Sequence, residues 1–169
     1  MPRVPVPPEV DAFLARPNPA VVATVSPGGA PHTAATWYDW EDERVLLNMD
    51  ESRLRLRYMR ENPAVALTVL GADNWYAQVT LLGRIVSFED DQDLADIDRL
   101  SIRYGGRPFH DRDARRVSAW MEPERWSSWP LPAPAPACRR ARAARRVSRR
   151  ATSRNAMPRR GDGARQPDG

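Results

Sequence analysis

Four arginines fall within one short stretch of this chain: Arg53, Arg55, Arg57 and Arg60. Ser52 precedes them and is a residue type that favours the N-cap of a helix, and Asn62 and Pro63 end that helix. The first two arginines are therefore predicted in the first helical turn, where free N–H groups and the helix dipole favour acidic side chains. An anion at this turn would remove the conflict, because N–H groups and guanidinium groups would converge on a phosphate. The alternative interpretation is a solvent-exposed arginine face that pairs with Glu51 and Glu61.

Five aromatic residues lie on two predicted strands: Trp37, Tyr38 and Trp40 on the second strand, and Trp75 and Tyr76 at the start of the fifth. Aromatic side chains on strands usually pack in a core or in cross-strand pairs. They can also line the pocket of a flat conjugated cofactor, which needs apolar walls and a cationic anchor for its phosphate. The residues alone leave both interpretations open.

Few other residues of the chain point to catalysis. The only histidines, His32 and His110, have no neighbours at the spacing of metal ligands, so we expect no metal site. The chain contains no G-x-S-x-G motif, no P-loop and no G-x-G-x-x-G motif. We interpret Gly28 and Gly29 as a hairpin turn rather than as a phosphate cradle.

The hydrophobic pattern and the turn residues predict the elements that position these side chains. Strands are predicted at residues 20–26, 30–39, 44–49, 64–70, 75–88 and 116–121, and helices at 9–15, 52–60 and 89–104. A polar turn is predicted directly after the last strand. Gly83 interrupts the fifth strand and indicates a bulge or a close approach of two backbones. Six strands, with one helix between the third and the fourth, predict a small and mostly antiparallel β-barrel.

Charge is divided unevenly along the 169 residues. Residues 1–130 contain 15 Arg and 20 Asp or Glu, a net charge of −5, whereas residues 131–169 contain 11 Arg and 2 Asp, a net charge of +9. This last segment has almost no large apolar residues, so we expect a disordered tail. One interpretation of the tail is a basic arm for nucleic acid. The abrupt change of composition after Pro130 favours another, translation of a GC-rich message out of register.

We expect one folded domain, residues 8–130, in a soluble cytoplasmic protein. The only cysteine, Cys138, lies in the tail, so no disulfide framework is expected. The N-terminus lacks the apolar segment of a signal peptide. No apolar run reaches the roughly 20 residues that a membrane helix needs, and we expect no membrane partner.

Short motifs follow one another in a characteristic order within residues 8–130, and their members are Gly29, Pro31, Trp37, Tyr38, Asp39, Ser52, Arg53, Arg55, Asn62, Pro63, Val65, Leu67 and Gly83. This order resembles the split β-barrel flavoproteins of the pyridoxamine 5'-phosphate oxidase type. Within that group it is most similar to the branch that binds the deazaflavin coenzyme F420. The resemblance implies a mostly β fold, a six-stranded antiparallel split β-barrel of the FMN-binding type with a few short helices.

The same resemblance implies a homodimer with two cofactor sites at the subunit interface. The cofactor phosphate would lie on the turn after the third strand, and the ring would lie along the second and third strands. Trp75 and Tyr76 would contribute from the ring pocket or from the partner subunit. The implied cofactor-binding residues are Thr36, Trp37, Asn48, Met49, Ser52, Arg53, Arg55, Trp75 and Tyr76.

The implied activity is that of an oxidoreductase in which F420 exchanges a hydride with a small organic substrate. One alternative is an FMN-dependent enzyme similar to pyridoxamine 5'-phosphate oxidase, although residues 110–130 contain no recognisable equivalent of the C-terminal substrate-binding segment of those oxidases. Another is a non-catalytic flavin- or haem-binding protein, in which haem would use one of the two histidines. Despite the basic tail, we do not expect the chain to bind nucleic acid.

Overall fold

A computed structural model describes residues 1–131 of the chain. Three helices and seven strands follow in the order α1 (Pro8–Leu14), β1 (Ala20–Val25), β2 (Pro31–Thr36), β3 (Asp39–Glu41), β4 (Arg44–Asp50), α2 (Leu54–Glu61), β5 (Ala64–Leu70), β6 (Gln78–Asp90), α3 (Ala95–Gly105) and β7 (Arg116–Trp129). Apart from Leu131, which packs against the core, the predicted tail and Cys138 lie outside the described residues. The predictions that the tail is disordered and does not bind nucleic acid therefore stay predictions.

All seven strands belong to one antiparallel sheet, in the order β2-β1-β5-β6-β7-β4-β3. The mostly β, antiparallel prediction is confirmed, but the number of strands is seven rather than six. The predicted strand at 30–39 is two strands, because Trp37 and Tyr38 lie between β2 and β3. Since β2 and β3 are the outermost strands of the order, the sheet of a single chain is not closed.

Tyr38 explains why the chain leaves the sheet at this point. Its side chain is fully buried, and its hydroxyl donates to the backbone oxygens of Leu14 (2.8 Å) and Arg16 (3.1 Å). The ring thereby ties the segment between the two strands to the end of α1. A continuous strand through residue 38 would withdraw the ring from these partners.

Strand β4 is buried on both faces, because its five central residues, 45–49, are all buried, and Val45, Leu47 and Met49 belong to the main core. Helix α1 begins at Pro8, a residue whose fixed φ suits the first helical turn, and it buries Val10, Phe13 and Leu14. Helix α2 buries Leu56 and Met59, three residues apart on one face. The helices thus cover the sheet with apolar faces and leave the N-terminal turn of α2 near the surface.

A close contact between β6 and β7 shapes the far part of the sheet. A Cβ atom at Gly83 would overlap the Glu122 carbonyl oxygen and lie 2.8 Å from Pro123 Cα. The register shifts at Gly83, which confirms the predicted irregularity. The predicted end of the last strand at residue 121 is wrong, because β7 continues to Trp129. Pro123 cannot donate to the ladder, and the bulge opposite Gly83 accommodates it.

The hairpin turn predicted at Gly28 and Gly29 is also present. Gly29 has a φ of 85°, and the Ser26 and Ala30 backbones close the turn with a 2.9 Å hydrogen bond. Within residues 1–131, none of the helices has the length and apolar character needed to cross a membrane.

Candidate functional site

A cavity of about 530 Å³ opens between the end of β2, the start of α2, helix α3 and the segment that leads into β7. Its lining combines arginine, aromatic and proline side chains: Pro17, Pro19, Ala20, Ala35, Thr36, Trp37, Asn48, Arg53, Arg55, Ile97, Leu100, Tyr104, Phe109 and Arg116. Five of the nine predicted cofactor-binding residues line this one cavity: Thr36, Trp37, Asn48, Arg53 and Arg55. The structure therefore brings together residues from β2 and the segment after it, from β4 and from the start of α2.

Arg53 and Arg55 form the cationic edge of the cavity at the start of α2. Arg53 is the N-cap residue, and no acidic residue lies in the first helical turn. The Arg55 Nη1 donates to the Ala35 carbonyl oxygen over a long 3.4 Å, and its Nε is buried without a hydrogen-bond partner. Neither side chain has a carboxylate within 4.0 Å among residues 1–131. Within residues 1–131, Arg53 and Arg55 therefore form no ion pair with Glu51 or Glu61, and the edge is free to receive an anion.

The electrostatics of Arg55 point the same way. Burial lowers the pKa of its guanidinium, and the charges of Arg53 and Arg116 lower it further. The three cations repel one another, and the Arg55 and Arg116 side chains are partly buried as well. A phosphate at this edge would compensate both costs, and its oxygens would satisfy the unpartnered Nε of Arg55.

Ser52 does not cap α2, and this part of the sequence prediction is wrong. Its backbone N–H and its hydroxyl both donate to the Asp50 Oδ1, over 2.7 and 2.5 Å. These two hydrogen bonds are the main reason why the pKa of Asp50 lies below its ordinary value. The hydroxyl is directed toward Asp50, two residues earlier, instead of accepting a helix N–H, and Arg53 holds the N-cap position.

Aromatic rings form the wall beside the arginine edge. The Trp37 ring stacks on Tyr104, with centroids 5.5 Å apart and planes 12° apart, and meets the edge of Phe109 at 6.3 Å. Tyr104 is fixed by its hydroxyl, which donates to the Asn18 carbonyl oxygen over 2.9 Å. This wall offers a flat apolar surface to a planar ligand. The sequence identified Trp37 but not Tyr104 and Phe109, which lie 67 and 72 residues further along the chain.

Asn48 lies at the base of the cavity and is 4% exposed. Its Nδ2 donates to Asp91 Oδ2 (2.9 Å) and Ser118 Oγ (3.0 Å), and its Oδ1 accepts from Arg116 Nε (2.7 Å). All of its polar atoms are therefore bonded to the protein. Arg116, a third cavity arginine, was also missed, because nothing local in the sequence links it to Asn48.

Comparisons with known proteins agree with this architecture. The sequence profile described as pyridoxamine 5'-phosphate oxidase matches residues 6–130. The chain belongs to the pyridoxamine 5'-phosphate oxidase family. The match spans nearly all of the described residues, and the family supports an oxidoreductase role in general terms. A comparison with curated proteins gives no match.

Solved structures with the same fold include proteins named for different ligands. An F420 reductase is 30% identical, with a TM-score of 0.66 over 72% of this chain and 98% of its own. A conserved hypothetical protein from Mycobacterium tuberculosis is 23% identical, with a TM-score of 0.59 over 77% and 91% of the two chains. A FAD-binding protein from Mesorhizobium loti is 19% identical, with a TM-score of 0.54 over 76% and 97%. The last two similarities concern the fold alone.

Four predicted residues of this pyridoxamine 5'-phosphate oxidase family member lie outside the cavity lining: Met49, Ser52, Trp75 and Tyr76. Met49 is buried in the core. Trp75 and Tyr76 are 69% and 67% exposed, and their rings contact each other at 5.1 Å. They precede β6 rather than begin it, because a turn closed by Gly71 N–H and the Ala77 carbonyl (2.7 Å) holds them outside the sheet.

Neither histidine lines the cavity. His32 lies on β2 with its ring against the edge of Tyr58 (5.9 Å), and His110 contacts Phe109. Over the part of the chain that the structure describes, no group of three His, Cys, Asp or Glu side chains could hold a metal ion.

Proposed function

We propose that this chain is an F420-dependent oxidoreductase that transfers a hydride between the deazaflavin and a small organic substrate. One observation carries the proposal: two arginines without acidic partners lie at the start of α2, beside a stacked aromatic wall in the same cavity. This combination suits a planar cofactor that bears a phosphate. The 30% identity to an F420 reductase, over 98% of that protein, supports F420 as the cofactor.

Each part of the cavity has a role in this proposal. Arg53 and Arg55 bind the phosphate, and the N–H groups at the start of α2 strengthen the interaction. Trp37 and Thr36 border the ring, which supplies the site where hydride is gained or lost when the cofactor is bound. The apolar side chains of α3 exclude water from one side of the cavity, and so strengthen the electrostatic interactions there.

A homodimer completes the proposed site. The Trp37 side chain is 37% exposed in the single chain, and the sheet ends at open strands. We place Trp75 and Tyr76 of a second copy near the open side of the cavity, which would bury two highly exposed aromatic residues. Sedimentation equilibrium of the wild type and of Trp75→Ala tests this assembly. A monomeric wild type would contradict it.

FMN is the second candidate cofactor, favoured by the family that the profile identifies. Parallel calorimetric titrations of the full chain with F420 and with FMN discriminate between the two, because both carry the phosphate and differ in ring and side chain. The proposal predicts that F420 binds more tightly, and that reduced F420 is oxidised when an acceptor is added. Tighter binding of FMN would move the enzyme to the flavin-dependent members. Binding without turnover of any acceptor would favour a carrier or binding protein.

A further inference from the structure

Arg116 is held by contacts that leave its two terminal guanidinium nitrogens free. Its Nε donates to the Asn48 Oδ1 over 2.7 Å, and its Cζ lies 4.6 Å from the centroid of the Phe109 ring. Among residues 1–131, its two terminal nitrogens have neither a hydrogen-bond partner nor a carboxylate within 4.0 Å. The side chain nevertheless lines the cavity. An arginine fixed at Nε and free at both Nη atoms presents the fork that matches a carboxylate.

The orientation of Arg116 is set by a chain of buried hydrogen bonds. Asn48 is fixed by Asp91 and Ser118, and the Ser118 hydroxyl donates to Asp96 Oδ2 over 2.6 Å. Asp91 in turn accepts from the N–H groups of Asp96 (3.1 Å) and Ile97 (3.0 Å) at the start of α3. The network therefore fixes the guanidinium before any ligand binds, which lowers the entropic cost of recognition.

The charge of Arg116 is only partly compensated. Burial lowers its pKa and Arg53 adds to this effect, whereas Asp50, Asp91 and Asp111 oppose it from beyond ion-pair distance. Each of these three carboxylates accepts hydrogen bonds from other groups, so the free fork faces the cavity with an unpaired charge. An anionic group of a ligand would be the first direct partner of the fork.

Arg116 belongs to a different wall of the cavity from the phosphate turn. Arg55 comes from α2 and reaches Ala35 on β2, whereas Arg116 comes from β7 and lies against Phe109. Phe109 meets Trp37 edge to face, so the fork lies beside the flat aromatic wall. A ligand that uses both features has a planar conjugated body and a carboxylate at one end.

We propose that Arg116 recognises the carboxylate of the substrate, and that the substrate is a planar conjugated acid. This inference rests on the proposed function, because it assigns the phosphate turn to the cofactor and Arg116 to its reaction partner. Asn48 is a positioning residue that acts through Arg116. Conjugation also suits the proposed chemistry, since a hydride acceptor must delocalise the electron pair that it receives.

Calorimetric titration of the full chain with trans-cinnamate and with its neutral isostere trans-cinnamamide tests the inference. We expect wild type to prefer cinnamate by about tenfold or more, as a charge-assisted pair would provide. Arg116→Gln abolishes the preference, and Arg116→Lys keeps part of it. The matched control is Arg115→Gln, because Arg115 is the neighbouring arginine, is exposed, and pairs with Glu51 and Asp90 instead. This control retains the full preference.

Two results would overturn the inference. One is an unchanged cinnamate preference in Arg116→Gln. The other is competition between cinnamate and saturating inorganic phosphate, which would assign Arg116 to the phosphate site. A separate F420 titration distinguishes this failure from failure of the proposed function. If F420 does not bind but the cinnamate preference still depends on Arg116, the cofactor assignment fails and the acid site stands.

Discussion

Replacement of Arg55 by methionine should weaken cofactor binding and yet stabilise the unliganded protein. In the free protein, Arg55 is partly buried, and burial and two neighbouring arginines lower the pKa of its guanidinium. Its single hydrogen bond, to the Ala35 carbonyl oxygen, is long at 3.4 Å. Methionine keeps most of the apolar stem and removes the charge. We therefore expect opposite effects of Arg55→Met on cofactor affinity and on the stability of the unliganded protein.

The two magnitudes follow from the contacts of Arg55. A charge-assisted hydrogen bond to phosphate contributes about 1.5–3 kcal/mol, so the dissociation constant of the cofactor should rise by about 10- to 150-fold. Loss of an uncompensated, half-desolvated charge should stabilise the unliganded fold by about 0.5–1 kcal/mol. For a domain of this size that change raises Tm by about 2–5 °C.

Calorimetry gives the affinity, and thermal unfolding without ligand gives the stability. The control is Arg57→Met, which makes the same change on the exposed side of the same helix and should alter cofactor affinity by less than about threefold. An Arg55→Met protein that binds cofactor as tightly as wild type would refute the anchor assignment. A loss of unliganded stability would show that Arg55 is instead a structural residue.

Three further predictions concern the fold around the site. Gly83→Ala should destabilise the protein by about 2–4 kcal/mol in urea unfolding, because the new Cβ overlaps the facing backbone. The control is Gly105→Ala, where a Cβ meets nothing within 4 Å. Equal stabilities of the two variants would contradict the close backbone contact at Gly83. Tyr38→Phe should cost about 1–2 kcal/mol. Burial raises the pKa of Tyr38 above its ordinary value of 10.0. The stability that the hydroxyl contributes is therefore complete below pH 10 and declines at higher pH, so wild type should lose stability more steeply in alkali than Tyr38→Phe. Parallel stability profiles of the two proteins against pH would contradict this role of the hydroxyl. Ser52→Ala should raise the pKa of Asp50 toward 3.8, measured by carboxyl NMR titration, and an unchanged value would exclude the hydroxyl as its cause.

Local patterns in the sequence predicted much of the fold. Short apolar runs rich in β-branched residues and leucine identified β1, β4 and β5 closely, and the Asn62 and Pro63 pair predicted the end of α2. The break between β2 and β3 could not be predicted in this way. It depends on the Tyr38 hydroxyl reaching backbone oxygens 22 and 24 residues earlier in the chain. The continuation of β7 past Pro123 likewise depends on the absence of a side chain at Gly83 on the facing strand.

The site shows the same division between local and distant information. Arg53 and Arg55 were recognisable because their helical position conflicts with the helix dipole, which is a property of a few neighbouring residues. Arg116 is separated from its partner Asn48 by 68 residues, and only the pairing of β4 with β7 brings them together. Ser52 is a local feature that the sequence nonetheless predicted wrongly as the N-cap. The Ser52 hydroxyl could accept a helix N–H as a cap or donate to the Asp50 carboxylate, and spacing alone does not rank the two.

A crystal structure of the full chain with F420 bound tests the proposed cofactor site directly. We predict that phosphate oxygens lie within hydrogen-bond distance of the Arg53 and Arg55 guanidinium groups. We also predict that the deazaflavin ring occupies the cavity beside Trp37. A cofactor bound elsewhere, for example on the exposed rings of Trp75 and Tyr76 with the arginine edge empty, would refute the assignment of this cavity to the cofactor.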